Sequence, residues 1–130
     1  MRKFLVIATA LTLCVALGAS FAVAKTKKVD TDVSINFANG NSTDPYQPNT
    51  QDAFSGALKA KKGCKKNREV NLKGPVSGSD KSSSSGKYRI TVGNAPAGTY
   101  KAVAAKKVIK KGNGNKVVCK KGSSDSITVQ

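Results

Sequence analysis

Gly86-Lys87-Tyr88-Arg89-Ile90-Thr91-Val92, followed through Ala95-Pro96-Ala97-Gly98 by Thr99-Tyr100-Lys101-Ala102-Val103-Ala104, is the stretch that decides the fold. In its first half Tyr88, Ile90 and Val92 alternate with Arg89 and Thr91, and in its second Tyr100, Ala102 and Ala104 alternate with Lys101 and Val103. A period of two puts the apolar set on one face of a strand, and a Pro-Ala-Gly segment between two such runs marks a turn. The same period recurs at Val70-x-Leu72 and Ile127-x-Val129. Beyond residue 24 the chain has ten Val and four Ile but only two Leu, Leu58 and Leu72. β-Branched side chains are stiff at χ1 and suit a pleated surface better than a helix.

Turn signals at Asn39-Gly40, Lys62-Gly63, Gly74-Pro75, Ser84-Ser85-Gly86 and Gly112-Asn113-Gly114-Asn115 separate these runs at short intervals. Strands are expected near 29–37, 53–60, 68–73, 87–93, 99–110, 116–121 and 126–129, and no segment shows helical spacing. Short strands with frequent turns predict an all-β fold, a seven-stranded antiparallel Greek-key β-sandwich. Asn113-Gly114 readily takes positive φ, so 99–110 and 116–121 are expected as an antiparallel hairpin. The polar segments 39–52 and 77–87 read as surface loops.

The N-terminus runs from basic Met1-Arg2-Lys3 through an apolar stretch, Phe4 to Leu17, to the small-residue pattern Ala22-Val23-Ala24. That order is a secretory signal peptide over residues 1–24. The apolar run is too short and too interrupted for a transmembrane anchor of about 20 residues. Cys14 lies in that run behind Leu13, where a lipoprotein acceptor would want a small residue, and reads as filler. Removing 24 residues from 130 leaves 106. Removing Arg2 and Lys3 from the 23 cations leaves 21 against 7 acids, a net charge of +14. A chain of that length is one domain that buries only about 60 to 70% of its unfolded surface. It divides into an N-terminal strand and polar loop, 25–52, and a β core, 53–130.

Two cysteines remain, Cys64 and Cys119, and export brings them to an oxidising compartment, so they are expected to pair. Closing a loop of 55 positions corresponds to about 4 kcal/mol of chain entropy, comparable with a small domain's whole stability. Two thiols without histidine or Cys-x-x-Cys spacing do not make a metal site.

The motif order resembles the transthyretin-like (prealbumin-like) β-sandwich modules of the carboxypeptidase regulatory and collagen-adhesin B kinds. Gly86–Val92 followed by Pro96-Ala97-Gly98-Thr99-Tyr100-Lys101-Ala102-Val103 carries the likeness, and Phe54-Ser55-Gly56-Ala57-Leu58 with Val70-Asn71-Leu72 resembles the opening strands. The resemblance covers about residues 53–129 and implies a sandwich in that span. The mature chain also resembles small secreted proteins of high-GC Gram-positive bacteria, on the cysteine within Lys61-Lys62-Gly63-Cys64-Lys65-Lys66. Adhesin repeats often carry a Lys–Asn crosslink with the Asn in the last strand, but Asp125-Ser126-Ile127-Thr128-Val129 has no Asn. The hydrolase branch of the transthyretin family relies on histidines, and this chain has none.

Without histidine, the usual base for an acyl-transfer nucleophile is missing. Glu69 is the one Glu, beside Arg68, and six Asp are scattered mainly through loops, so no glycosidase-type carboxylate pair is evident. Asp44, Asn49 and Asp52 lack the acid-Gly order of a calcium loop. Asn41-Ser42-Thr43 matches the glycosylation sequon, a pattern common by chance. No enzyme activity and no cofactor are expected.

Charge is the strongest feature. Lys59, Lys61, Lys62, Lys65, Lys66 and Arg68 flank Cys64, and Lys116, Lys120 and Lys121 flank Cys119. A disulfide brings its Cα atoms within about 6 Å, so the pairing is expected to gather these nine into one basic face, extended by Lys106, Lys107, Lys110 and Lys111. Such a field favours anionic wall polymers, acidic lipid headgroups, acidic polysaccharide or nucleic acid met outside the cell. The bland alternative is that the lysines keep the protein soluble and blunt its edge strands. Nineteen of the 21 cations are Lys, a point charge that binds anions with little geometric selectivity, and no aromatic interrupts either run to stack bases. The sequence thus predicts a secreted, extracellular or wall-associated, non-enzymatic module: structural or adhesive at the cell surface, or alternatively a polyanion-binding protein without specificity for nucleic acid.

Overall fold

The computed structural model describes residues 22–40 and 51–130. Residues 1–21 of the expected signal peptide, the sequon at Asn41, and Asp44 and Asn49 lie outside the described residues. Within them the chain is mostly strand: β1 (Thr26–Val29), β2 (Asp32–Val33), β3 (Asn36–Ala38), β4 (Asp52–Lys59), β5 (Glu69–Lys73), β6 (Gly78–Lys81), β7 (Lys87–Val92), β8 (Gly98–Ala104), β9 (Lys107–Lys110), β10 (Lys116–Cys119), β11 (Gly122–Ser123) and β12 (Ile127–Val129). One helical turn, α1 (Lys62–Lys65), joins β4 to β5.

Period-two alternation becomes burial as expected. In β7, Tyr88, Ile90 and Val92 point inward, and in β8 Tyr100, Ala102 and Ala104 are buried while Thr99 and Lys101 stay exposed. These side chains join Phe54, Leu58, Val70, Leu72 and Val129 in one core. Phe54, fully buried, centres it, with ring centroids 5.0 Å from Phe37 and 4.6 Å from Tyr100. Truncating a buried Phe to Ala typically costs about 3 to 5 kcal/mol.

Backbone pairing builds three sheets. β4 pairs antiparallel with β7 on one side and with β2 and β3, end to end, on the other. β8 pairs antiparallel with β5 on one side and with β11 and β12, end to end, on the other, while β6 adds to the far side of β5. The third sheet has the order β1-β10-β9, with β1 parallel and β9 antiparallel to β10.

Each interrupted edge is repaired by a serine. Between β2 and β3 the Ser34 hydroxyl accepts from Ala57 N at 2.9 Å, and between β11 and β12 the Ser124 hydroxyl accepts from Ala102 N at 2.9 Å. The hydroxyl replaces a carbonyl where the edge strand bends away, so the central strand keeps its ladder.

The Pro-Ala-Gly turn is fixed at both ends. Tyr100 Oη donates to Pro96 O at 2.7 Å, and Gly98 has φ +151°, where an added Cβ would lie 2.5 Å from Pro75 Cγ. Asp52 ties two more loops down: Oδ1 accepts from Gly40 N at 2.7 Å and Oδ2 from Ala95 N at 2.8 Å. These donors hold its carboxyl below the ordinary value.

Several boundaries differ from the sequence reading. The run 99–110 is two strands: Ala105 N donates to Glu69 O at the end of the β8–β5 pairing, and the chain then leaves for the third sheet. The span 29–37 holds β2 and β3, with β1 before them. Residues 77–87 are not all loop, because Gly78–Lys81 form edge strand β6, in register with β5 from Leu72↔Gly78 to Glu69↔Lys81. Its sequence, Gly-Ser-Asp-Lys, has no apolar alternation to betray it; backbone pairing with β5 makes it a strand, and its Asp80 Oδ2 accepts from Arg89 N of β7 at 2.8 Å. The hairpin is present between β9 and β10, with Gly114 at φ +79°.

Candidate anion-binding surface

Cys64 in α1 and Cys119 at the end of β10 are disulfide-bonded, with Cα atoms 5.4 Å apart. Both are buried, and with Val29, Ala60, Ile109 and Val117 they make a second, smaller core. The bond fastens the third sheet to the β4–β5 connection.

Arg68 completes that fastening and does not join a basic surface. Its side chain is only 1% exposed. Nε donates to Ala105 O at 2.9 Å, Nη1 to Cys64 O at 2.7 Å and Thr31 Oγ1 at 3.2 Å, and Nη2 to Lys120 O at 3.0 Å. One guanidinium thus bridges α1 and the β1–β2, β8–β9 and β10–β11 connections. A planar fork with five donors can do this; a lysine ammonium cannot. Burial lowers its pKa from the ordinary value. Contrary to the sequence expectation, Arg68 does not stand with the anion-binding lysines, because its donors are consumed inside the protein. A sequence signal existed, because Arg68 shares strand parity with the buried Val70 and Leu72.

The other expected contact residues are divided by sheet geometry. Residues directly opposite one another in neighbouring strands share a face. Thr26, Lys116 and Lys110 are aligned, as are Lys28, Val118 and Val108, so Lys116 lies on one face with Lys28 and Lys110. Lys27, Val117 and Ile109 are aligned on the other face, as are Val29, Cys119 and Lys107. The second face meets α1, and there Lys61 and Lys62 come together with Lys27 and Lys111 around a cavity of about 330 Å³. Val29, Cys64, Ile109 and Val117 provide its apolar lining.

The remaining lysines are dispersed. Lys59 sits opposite Asp32 at the end of β4. Lys65 is half-buried, and its carbonyl accepts from Ser82 Oγ at 2.7 Å. Lys66 is exposed, with its carbonyl accepting from Lys107 Nζ at 2.8 Å. Lys121 is exposed, and Lys120 Nζ pairs with Asp30 Oδ1 at 2.8 Å. Lys81, Lys106 and Lys107 line a separate recess with Glu69. The third sheet thus meets Lys61 and Lys62 on one face and carries Lys116 on the other; Lys27, not singled out by sequence, stands with Lys61 and Lys62.

The like charges there interact. Lys61 lowers the pKa of Lys27 from its ordinary value: its ammonium can donate a hydrogen bond only to a neutral Lys27 amine, and its charge repels a protonated one. Among the described residues no group of three or more His, Cys, Asp or Glu could hold a metal ion, and no helix is long and apolar enough to cross a membrane. Comparison with known protein families, with curated proteins and with solved structures finds no match to this chain.

Proposed function

We propose that this is an exported, non-enzymatic β-sandwich module of transthyretin-like type that works at the cell surface, held to anionic polymers by its lysines. The observation that carries the reading is the excess of exposed lysine over acid. Lys27, Lys28, Lys61, Lys62, Lys110, Lys111 and Lys116 are all exposed around the third sheet, and the one ion pair among the described residues is Lys120–Asp30. An excess of one sign with so little internal compensation attracts polyanions from solution. The sandwich reading is supported by the shared core, to which β4 and β7 contribute from one sheet and β5, β8 and β12 from another. Export is supported by the disulfide and by the start of β1 at Thr26, two residues beyond the expected cut.

Co-sedimentation of the folded protein with isolated cell wall or an acidic polysaccharide tests the proposal. Association at about 0.05 M salt that disappears by about 0.5 M is expected, because exposed charges are screened within about 10 Å at 0.1 M. Association that resists salt would instead indicate a specific adhesive contact, and none at low salt would leave the lysines as solubilising groups.

A further inference from the structure

We propose that the cavity between β1, β9, β10 and α1 is a binding site for a small amphiphilic carboxylate, with its apolar tail over Ile109 and Val117 and its carboxylate between Lys27 and Lys61. This goes beyond the polymer reading, because it requires a discrete pocket and a ligand with two chemically different ends.

The lining shows those two ends. Val29, Cys64, Ile109 and Val117 supply apolar surface, Lys27, Lys61, Lys62 and Lys111 supply the charge, and no acidic side chain lines the cavity. An inorganic anion would leave the apolar surface wet, and a neutral hydrocarbon would leave the ammonium groups unanswered. A molecule with one negative head and an aliphatic tail satisfies both.

The site is also held ready for an anion. Lys27 is placed by the β1–β10 register opposite Val117, and Lys61 by the segment entering α1, whose Cys64 is bonded to Cys119. Their ammonium groups are close enough to disturb each other, and a carboxylate between them would relieve that repulsion. Gly63 keeps the wall open, since a Cβ there would already stand 3.1 Å from Ile109 Cδ1. The cavity, about 330 Å³, lies at the small end of ligand pockets. At about 30 Å³ for each non-hydrogen atom, the volume of one liquid water, it suits a ligand of about ten such atoms, the size of octanoate.

The test uses the disulfide-intact protein and octanoate, with octanol, octylammonium and acetate as comparisons, followed by calorimetry and methyl NMR. Saturable octanoate binding with shifts at Val29, Ile109 and Val117 is expected, and each comparison should bind at least about tenfold more weakly. The K27A/K61A variant should lose about tenfold in octanoate affinity, while K28A/K116A, which removes equal charge from the opposite sheet face, should stay within about twofold. Equal binding of octanol, equal effects of the two double variants, or shifts spread over both sheet faces would overturn the proposal. Octanoate binding by a protein that does not hold wall polymer supports the pocket and counts against the polymer reading alone.

Discussion

Arg68 and Arg89 are the two arginines after residue 24, and they occupy opposite environments. Arg89 lies on the outer side of β7, whereas Arg68 donates to three carbonyls and one hydroxyl. R68K should therefore cost about 3 kcal/mol or more in a urea titration, because it strands several buried acceptors at about 1 to 3 kcal/mol each. R89K should stay within about 0.5 kcal/mol, as exposed substitutions usually do. If the two variants unfold at the same urea concentration, Arg68 is not the hub described. The serines allow a similar contrast. S124A removes the partner of the buried Ala102 N–H and should cost about 1 to 3 kcal/mol, whereas S34A lies where water reaches Ala57 N and should cost less than about 1 kcal/mol.

Among elements, the third sheet depends most on a few links. Its small core is built around the disulfide, while the main core draws its large side chains from β4, β5, β7, β8 and β12. Reduction should thus loosen β1, β9, β10 and α1 first. Hydrogen exchange of the reduced, alkylated protein should show protection falling in those elements while amides of β4, β5, β7 and β8 remain slow. Uniform loss across all strands would mean that the two cores unfold as one unit. β6 illustrates why an element can escape a sequence reading. It buries little side-chain surface and exists because β5 offers it a backbone ladder, a partner that Gly-Ser-Asp-Lys cannot specify.

For the whole molecule, buried titratable groups set both limbs of the pH profile. The folded state favours the Asp52 carboxylate, so its contribution is complete above the ordinary carboxyl range and lost as pH falls through that range and below. D52N should therefore be less stable than the parent near neutrality, with a shallower loss of thermal midpoint below about pH 4. On the alkaline side burial pushes Tyr88 up to about 12 and raises Tyr100, with the charge of Asp52 adding to the latter. Both phenols favour the neutral form in the fold, so stability should decline from about pH 10 towards pH 12. Y88F should flatten that decline, and an unchanged alkaline slope would remove Tyr88 as its cause. Local pattern and composition were enough for the inward sets Tyr88-Ile90-Val92 and Tyr100-Ala102-Ala104, the Asn113-Gly114 hairpin, the Cys64–Cys119 pairing and the excess of lysine. The rest came from pairing at a distance, because inter-strand register and sheet membership are set by residues far apart in the chain. Register separated Lys116 from Lys61 and Lys62, brought Lys27 to them, and folded the basic run's one arginine inside as the link between four chain segments.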